Sequence, residues 1–101
     1  MDRKTGTGRT IGVSVFISTY NQENYIRDAL EGALKQKTDF LFEILVHDDA
    51  STDRTGEIVK EYEKQYPDKI VALYEAVNTY DHPEYASKRM LAAARGKYIA
   101  L

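Results

Sequence analysis

The chain contains no cysteine and no tryptophan, and only two prolines, among its 101 residues. The absence of cysteine excludes a disulfide framework and any metal site built on thiolates. A chain without cysteine also fits a reducing compartment. We therefore expect a cytoplasmic protein whose fold is stabilised by a core and by hydrogen bonds.

Long apolar runs and an excess of basic residues are also missing. The uninterrupted apolar stretches are only a few residues long, far short of a membrane-spanning helix, and no signal-peptide pattern follows Met1. Fourteen basic residues against sixteen acidic ones give a net charge of −2. This balance provides no positive surface for a polyanion, so we expect no nucleic-acid partner. Peripheral attachment to the inner face of the membrane stays open.

The patterns that are present predict one small α/β domain. Residues 1–10 are polar and are predicted to be a disordered leader, and residues 11–101 form the domain. Apolar runs predict strands near residues 12–18, 43–47, 70–74 and 97–101, and helical periodicity predicts helices near 21–35, 53–66 and 84–95. The resulting order β-α-β-α-β-α-β predicts a mainly parallel sheet between helical layers, a Rossmann-like three-layer fold.

Two adjacent aspartates, Asp48 and Asp49, follow the second predicted strand. In open α/β sheets, ligands bind outside the carboxyl ends of the strands. Two neighbouring like charges are costly unless water, a donor-rich ligand or a metal ion uses them. Adjacent residues at a strand end point in different directions, which disfavours a joint metal site. We interpret the pair as a ligand-facing edge, with a solvated turn as the alternative.

The first predicted strand ends in Ser18, Thr19 and Tyr20. An aromatic ring such as Tyr20 can stack on a nucleobase, a contact worth about 1–3 kcal/mol. A carboxylate such as Asp49 can accept a charge-assisted hydrogen bond from the N–H of a pyrimidine base. No glycine-rich phosphate loop of either common type is present, which disfavours dinucleotide and P-loop chemistry. A surface role for the tyrosine is the alternative to nucleoside binding.

The chain resembles family 2 glycosyltransferases, which have the GT-A fold. The resemblance covers roughly residues 12–101 and rests on residues 13–21, 34–36, 43–55, 78 and 96–101. It implies transfer of a sugar from a nucleotide-diphosphate donor, most often UDP-linked, to a saccharide or lipid-linked acceptor in cell-surface glycan synthesis. It further implies that substrate-binding residues are Ser18, Thr19, Tyr20, Asp48, Asp49 and Lys88, with the lysine near the diphosphate.

The sequence departs from the family pattern in three places. His47 stands where an apolar residue is usual, and the loop after Asn78 lacks the glycine common two residues later. The Asp-x-Asp signature that binds Mg²⁺ or Mn²⁺ is expected directly after Leu101, so the resemblance implies that this chain holds no metal ligands. We therefore expect a nucleoside-binding part of a GT-A domain, truncated before that motif and inactive by itself.

Three other functions are compatible with parts of the pattern. The chain could be a non-catalytic nucleotide-binding module, or a receiver-like phosphoacceptor domain with an acidic pair beside a parallel sheet. The receiver alternative is weakened because no aspartate directly follows the strand ending at Tyr74. An exposed edge on the last strand could instead serve assembly, including formation of a homo-oligomer.

Several residues have predicted structural roles. Asn21 is predicted to cap the first helix, and Ser51, Thr52 or Asp53 the second. Gly96 is predicted at the position that follows the third helix. Packing positions are predicted for Tyr25, Tyr62, Tyr66, Met90, Leu91 and Ala94, a packed rather than catalytic role for His47, and a solvated face for Lys88, Arg89, Arg95 and Lys97.

Overall fold

A computed structural model of the protein describes residues 11–36 and 41–100; the predicted leader and Leu101 lie outside these ranges. Strands and helices alternate along the chain in the predicted order. The strands are β1 (Ile11–Thr19), β2 (Leu41–Asp48), β3 (Ile70–Tyr74) and β4 (Tyr98–Ala100), and the helices are α1 (Ile26–Leu34), α2 (Thr55–Gln65) and α3 (Glu84–Ala93). None of the helices among the described residues combines the length and apolar character needed to cross a bilayer.

The four strands form one sheet in the order β3-β2-β1-β4, and every pair is parallel. This confirms the predicted α/β fold with a mainly parallel sheet. Thr19 pairs with Asp48, and Asp48 pairs with Tyr74. The carboxyl ends of β1, β2 and β3 are therefore level, and the loops that follow them meet at one edge of the sheet.

The central strand β2 is buried from Phe42 to Asp48. Successive strand residues point to opposite faces. On one face, Ile44 and its alternate neighbours pack with α1 and α2 into a cluster of Ile26, Leu30, Phe42, Ile44, Val46, Ile58, Val59, Tyr62 and Ile70. Ile58, Val59 and Tyr62 of α2 are buried in this cluster, which confirms the predicted packing of Tyr62, while Tyr66 is 39% exposed.

The opposite face of the sheet, covered by α3, is more polar. Its apolar cluster consists of Phe16, Leu45, Met90 and Ala94. Beside this cluster lie the fully buried polar side chains of Ser14, Glu43 and His47. Arg95, which directly follows the C-cap residue of α3, donates from Nε to Glu43 Oε1 at 2.8 Å. The prediction that Arg95 belongs to a solvated face is therefore wrong.

Two helix predictions require correction at the first helix. The helix α1 begins at Ile26, five residues after the predicted cap Asn21, and Asn21 itself has a φ of 48°. A residue with positive φ lies in the left-handed region and cannot continue directly into a right-handed helix. Tyr25, predicted to pack, is 70% exposed because it precedes the helix on its solvent side.

Two further corrections concern the third helix. Leu91 is 56% exposed, whereas Met90 and Ala94, spaced four residues apart, face the sheet as predicted. The helix ends with Ala94 in an extended conformation, so Gly96 does not occupy the predicted left-handed position. Gly96 is needed for close approach instead, since a Cβ there would lie 2.7 Å from the carbonyl carbon of Val13.

Candidate functional site at the carboxyl edge of the sheet

The tips of β1 and β2 bring Tyr20 and Asp49 into adjacent positions. Thr19 and Asp48 are register partners, and the Asp49 N–H donates to the Thr19 carbonyl at 3.0 Å. Tyr20 follows Thr19 directly and its side chain is 46% exposed. An accessible ring and a partly exposed carboxylate therefore project from neighbouring strand ends, where the sequence analysis expected a nucleoside.

The Asp49 carboxylate is held in place from the third strand's loop. Its Oδ1 accepts hydrogen bonds from both the backbone N–H and the hydroxyl of Thr79, each at 2.8 Å. Asn78 Nδ2 donates to the Asp49 carbonyl at 3.0 Å. Within residues 11–36 and 41–100, no donor bonds to Oδ2, which leaves this oxygen as an oriented acceptor. Sequence reasoning missed Thr79, although its position after a strand ending at the same edge could have indicated it.

Asp48 has a different environment from its neighbour. Its side chain is 5% exposed, and its Oδ1 accepts a short hydrogen bond from the Ser51 hydroxyl. A Cβ at Gly56 would lie 3.0 Å from Oδ2, so the carboxylate is directed at the first turn of α2. This orientation leaves little of the Asp48 side chain accessible. Contact between Asp48 and a nucleoside therefore stays a prediction.

The two carboxylates therefore diverge, as strand geometry predicts. No group of three histidine, aspartate or glutamate side chains in the described parts of the chain could hold a metal ion. The donor set at this edge does not fit a divalent cation.

Asn21 joins the loops that carry the candidate residues. Its Oδ1 accepts from the backbone N–H of Thr52 at 2.7 Å and of Asp53 at 3.3 Å. Its own backbone N–H donates to Ser51 Oγ at 3.0 Å. Asparagine tolerates the positive φ found here better than most residues do. Asn21 thus connects the β1–α1 and β2–α2 loops, which restricts the relative motion of Tyr20 and Asp49.

Asp53 provides the hydrogen bonds expected at the start of the second helix. Its Oδ1 accepts from the Thr55 backbone N–H at 2.9 Å and from the Thr55 hydroxyl at 2.5 Å. Its Oδ2 accepts from the Glu23 N–H at 3.2 Å. Desolvation raises the pKa of Asp53, but these hydrogen bonds outweigh it and the pKa is lowered overall. The N-cap residue of α2 is Arg54, without a side-chain cap hydrogen bond, so none of Ser51, Thr52 and Asp53 occupies the predicted cap position. Asp53 lies one residue before the cap and bonds to the first residue of the helix, Thr55.

The remaining predicted binding residues differ in accessibility. Thr19 is 3% exposed, and its hydroxyl donates to Gln22 Oε1 at 2.9 Å. Ser18 is exposed at the end of β1, and Lys88 is exposed on α3. A contact from Lys88 to a diphosphate stays a prediction.

Arg89, the neighbour of Lys88, is only partly exposed and forms an ion pair. Its Nη1 donates to Glu75 Oε2 at 2.7 Å, so the prediction of a solvated Arg89 is wrong. The same Glu75 oxygen lies 2.9 Å from His47 Nε2. His47 is fully buried, which confirms its predicted packed position. Desolvation raises the pKa of Glu75, but the hydrogen bonds from Arg89 and His47 outweigh this effect and lower it.

An open, mostly apolar pocket of about 410 Å³ adjoins this edge. Its lining includes Asn78 and Thr79, the two residues that hold Asp49, together with His82 and Tyr85. The edge therefore offers a recess beside an oriented carboxylate and an exposed ring.

Comparison with known proteins identifies what this arrangement is similar to. The family model described as Glycosyl transferase family 2 matches residues 14–101. An uncharacterised protein of Mycobacterium tuberculosis is 43% identical over 88% of the chain. That match covers 25% of the relative, so the chain spans about a quarter of its length.

Solved structures show the same architecture. Staphylococcus aureus TarS in complex with UDP-GlcNAc matches 88% of the chain and 25% of its own with a TM-score of 0.74 and 33% identity. The mannosyltransferase PcManGT of Pyrobaculum calidifontis, in complex with GDP-Man and Mn²⁺, matches 86% of the chain and 25% of its own. Its TM-score is 0.73 at 27% identity.

Proposed function

Because this chain belongs to glycosyl transferase family 2, we propose that it binds the nucleoside of a UDP-sugar donor. The observation that carries the proposal is the placement of Asp49 beside Tyr20 at adjacent strand tips. UDP-GlcNAc in the TarS complex is a donor of the proposed class. The receiver-like alternative is abandoned, because the family match identifies a glycosyltransferase.

The proposed chemistry is recognition of the uracil edge by an oriented acceptor. Thr79 occupies Asp49 Oδ1, so Oδ2 is available to accept from the uracil N–H. Hydrogen bonds to a charged group contribute about 1.5–3 kcal/mol each. The Tyr20 ring supplies a stacking surface that does not depend on the identity of the base. The carboxylate therefore provides selectivity and the ring provides affinity.

We further propose that the sugar of this donor is transferred to an acceptor hydroxyl. TarS is named a poly(ribitol-phosphate) β-N-acetylglucosaminyltransferase. The polymer in that name supports a polymeric acceptor. We propose a saccharide or lipid-linked acceptor in cell-surface glycan synthesis, with the enzyme in the cytoplasm or at the inner face of the membrane. The PcManGT complex with Mn²⁺ supports use of a divalent ion, Mg²⁺ or Mn²⁺. Because Asp48 and Asp49 diverge, such an ion would be bound by other residues.

Titration of the chain with UDP tests the proposal. The substitution Asp49→Asn keeps an oxygen for Thr79 and places an amide donor where Oδ2 was. We expect about 10- to 100-fold weaker binding of UDP, from the loss of a charge-assisted bond. Binding of CDP should fall less, because the cytosine ring nitrogen is an acceptor. Isothermal titration calorimetry measures the affinities for UDP and for CDP. We expect the affinity for UDP to be the same with and without Mn²⁺.

The matched control is Asp68→Asn, an exposed aspartate in the turn before β3 at the opposite edge of the sheet. It removes the same charge and should leave UDP affinity unchanged. Equal losses for both variants would show only a general charge effect and would contradict nucleoside recognition by Asp49. Absence of UDP binding to the unmodified chain would contradict the proposal as a whole.

A further inference from the structure

A series of hydrogen-bonded polar groups, centred on the fully buried His47, reaches the candidate site from the α3 face of the sheet. Arg89 Nη1 donates to Glu75 Oε2 at 2.7 Å, and the same oxygen lies 2.9 Å from His47 Nε2. On the other side of the imidazole ring, His47 Nδ1 lies 3.4 Å from the hydroxyl of Ser18. His47 is fully buried, whereas Ser18 is exposed at the carboxyl end of β1, two residues before Tyr20. This series of polar groups therefore ends in the Ser18 hydroxyl at the carboxyl edge of the sheet.

The positions of the protons in this series of hydrogen bonds follow from the chemistry of its four groups. Glu75 has a lowered pKa and is a carboxylate at neutral pH, so it can only accept. His47 Nε2 must then carry the proton of that hydrogen bond. Arg89 already balances the Glu75 charge, so a cationic His47, which is fully buried, would have no counter-charge of its own. A neutral imidazole with its proton on Nε2 has a bare Nδ1, which can only accept from the Ser18 hydroxyl.

We propose that Arg89, Glu75 and His47 are positioning residues that hold the Ser18 hydroxyl as a hydrogen-bond acceptor toward the nucleoside of the donor. With its proton directed at His47, Ser18 presents lone pairs to the ligand. Those lone pairs fit a ribose hydroxyl or a base N–H and repel a phosphate oxygen. This inference rests on the proposed nucleoside binding and adds a second acceptor to Asp49, supplied from the opposite face of the sheet.

Binding of uridine and of UDP to the chain distinguishes nucleoside from diphosphate contact. We expect Ser18→Ala to weaken both ligands about fivefold, the effect of one neutral hydrogen bond. Ser18→Thr keeps the hydroxyl and should retain affinity. Chemical-shift titration measures the affinities for uridine and for UDP, including the weaker of the two. A loss for UDP alone would place the diphosphate at Ser18 and would overturn the proposal.

A double-mutant cycle tests whether His47 acts through Ser18. His47→Gln keeps a side-chain N–H for Glu75 and removes the acceptor next to Ser18. We expect it to weaken uridine binding in the unmodified chain and to have no further effect when combined with S18A. Additive losses would assign His47 a general structural role and contradict the proposal.

A spectroscopic measurement on the unmodified chain is independent of folding of the variants. The ¹⁵N chemical shifts of a histidine ring distinguish a bare Nδ1 from a protonated one, and His82, which is exposed, is an internal reference. We expect a bare Nδ1 in His47; a protonated Nδ1 would overturn the inference. A bare Nδ1 without any UDP binding would count against the proposed function and not against the hydrogen-bond chain.

Discussion

Helices α1 and α2 and helix α3 lie on opposite faces of one sheet and are attached to it by different interactions. On the first face, nine buried side chains of the described residues form the apolar cluster, whereas the α3 face has four. On the α3 face, two carboxylates of low exposure form ion pairs in addition to the apolar contacts. Glu75 contacts Arg89 within α3 at 2.7 Å, and Glu43 contacts Arg95 just beyond its end at 2.8 Å.

The two faces therefore differ in how their stability depends on single side chains. Apolar contacts are non-directional and scale with the buried area, so the α1/α2 face gains stability without fixed bonding geometry. A buried ion pair adds little net stability, but it is costly to break because it leaves a buried charge without a partner. The α3 face is therefore the one on which single polar substitutions should have large effects.

Removal of the Glu43 carboxylate should have the largest effect. Glu43 accepts from Ser14 Oγ at 2.6 Å and from both the backbone and the guanidinium of Arg95 at 2.5 and 2.8 Å. We expect Glu43→Ala to reduce the free energy of unfolding by about 3–5 kcal/mol, because these donors lose their partner. Urea unfolding followed by circular dichroism measures it.

The control for this prediction is Glu61→Ala, which removes an ion pair with Arg27 whose side chains are 53% and 51% exposed. Exposed pairs contribute about 0–1 kcal/mol. If both substitutions reduced stability equally, the proposed contrast between buried and exposed charges would be wrong.

Substitution of alanine for either of two glycines tests the same comparison between the two faces, with a smaller expected change in stability than Glu43→Ala. At Gly96, an added Cβ would overlap the backbone of Ser14 and lie 2.7 Å from the Val13 carbonyl carbon, so we expect Gly96→Ala to cost about 1–3 kcal/mol. Gly32 in α1 has no atom within 4 Å of such a Cβ. Gly32→Ala should stabilise the chain by about 0.5–1 kcal/mol. Thermal unfolding of the two variants, with opposite shifts expected, tests this.

The smallest expected effect is a pH dependence that comes from Glu75. Its pKa is lowered in the folded protein below the ordinary value of 4.5. Its ionised form therefore stabilises the fold above the pKa of the unfolded chain, and this stabilisation is lost as the pH falls through the folded pKa. Urea unfolding of the unmodified chain and of Glu75→Gln should show a stability difference that shrinks from neutral pH to about pH 3.

Glu57→Gln is the reference for that series, since Glu57 and its partner Arg54 are 70% and 66% exposed. Its effect should be small throughout. A Glu75→Gln difference that stayed constant over the same range would show that ionisation of this carboxyl does not contribute.

Local patterns predicted the order of strands and helices and the meeting of the loops at one edge. They did so because period and residue type report burial of one or both faces of an element. They failed where a residue bonds to a distant segment. Asn21 has the type of a helix cap, but its partners are Thr52 and Asp53, about thirty positions later. Thr79 and Glu75 gained their roles in the same way, through pairing between segments far apart in the chain.

Short-range periodicity predicts the parallel α/β fold and the placement of Tyr20 and Asp49 at strand ends, and the resemblance of the motifs predicts the family. The folded structure was needed to show which carboxylate is oriented toward the edge and which is buried against α2. It was also needed to show that His47 connects Glu75 to Ser18. The physical reason is that hydrogen-bond direction depends on the positions of donors from other strands and helices, and these are not encoded at any fixed sequence separation.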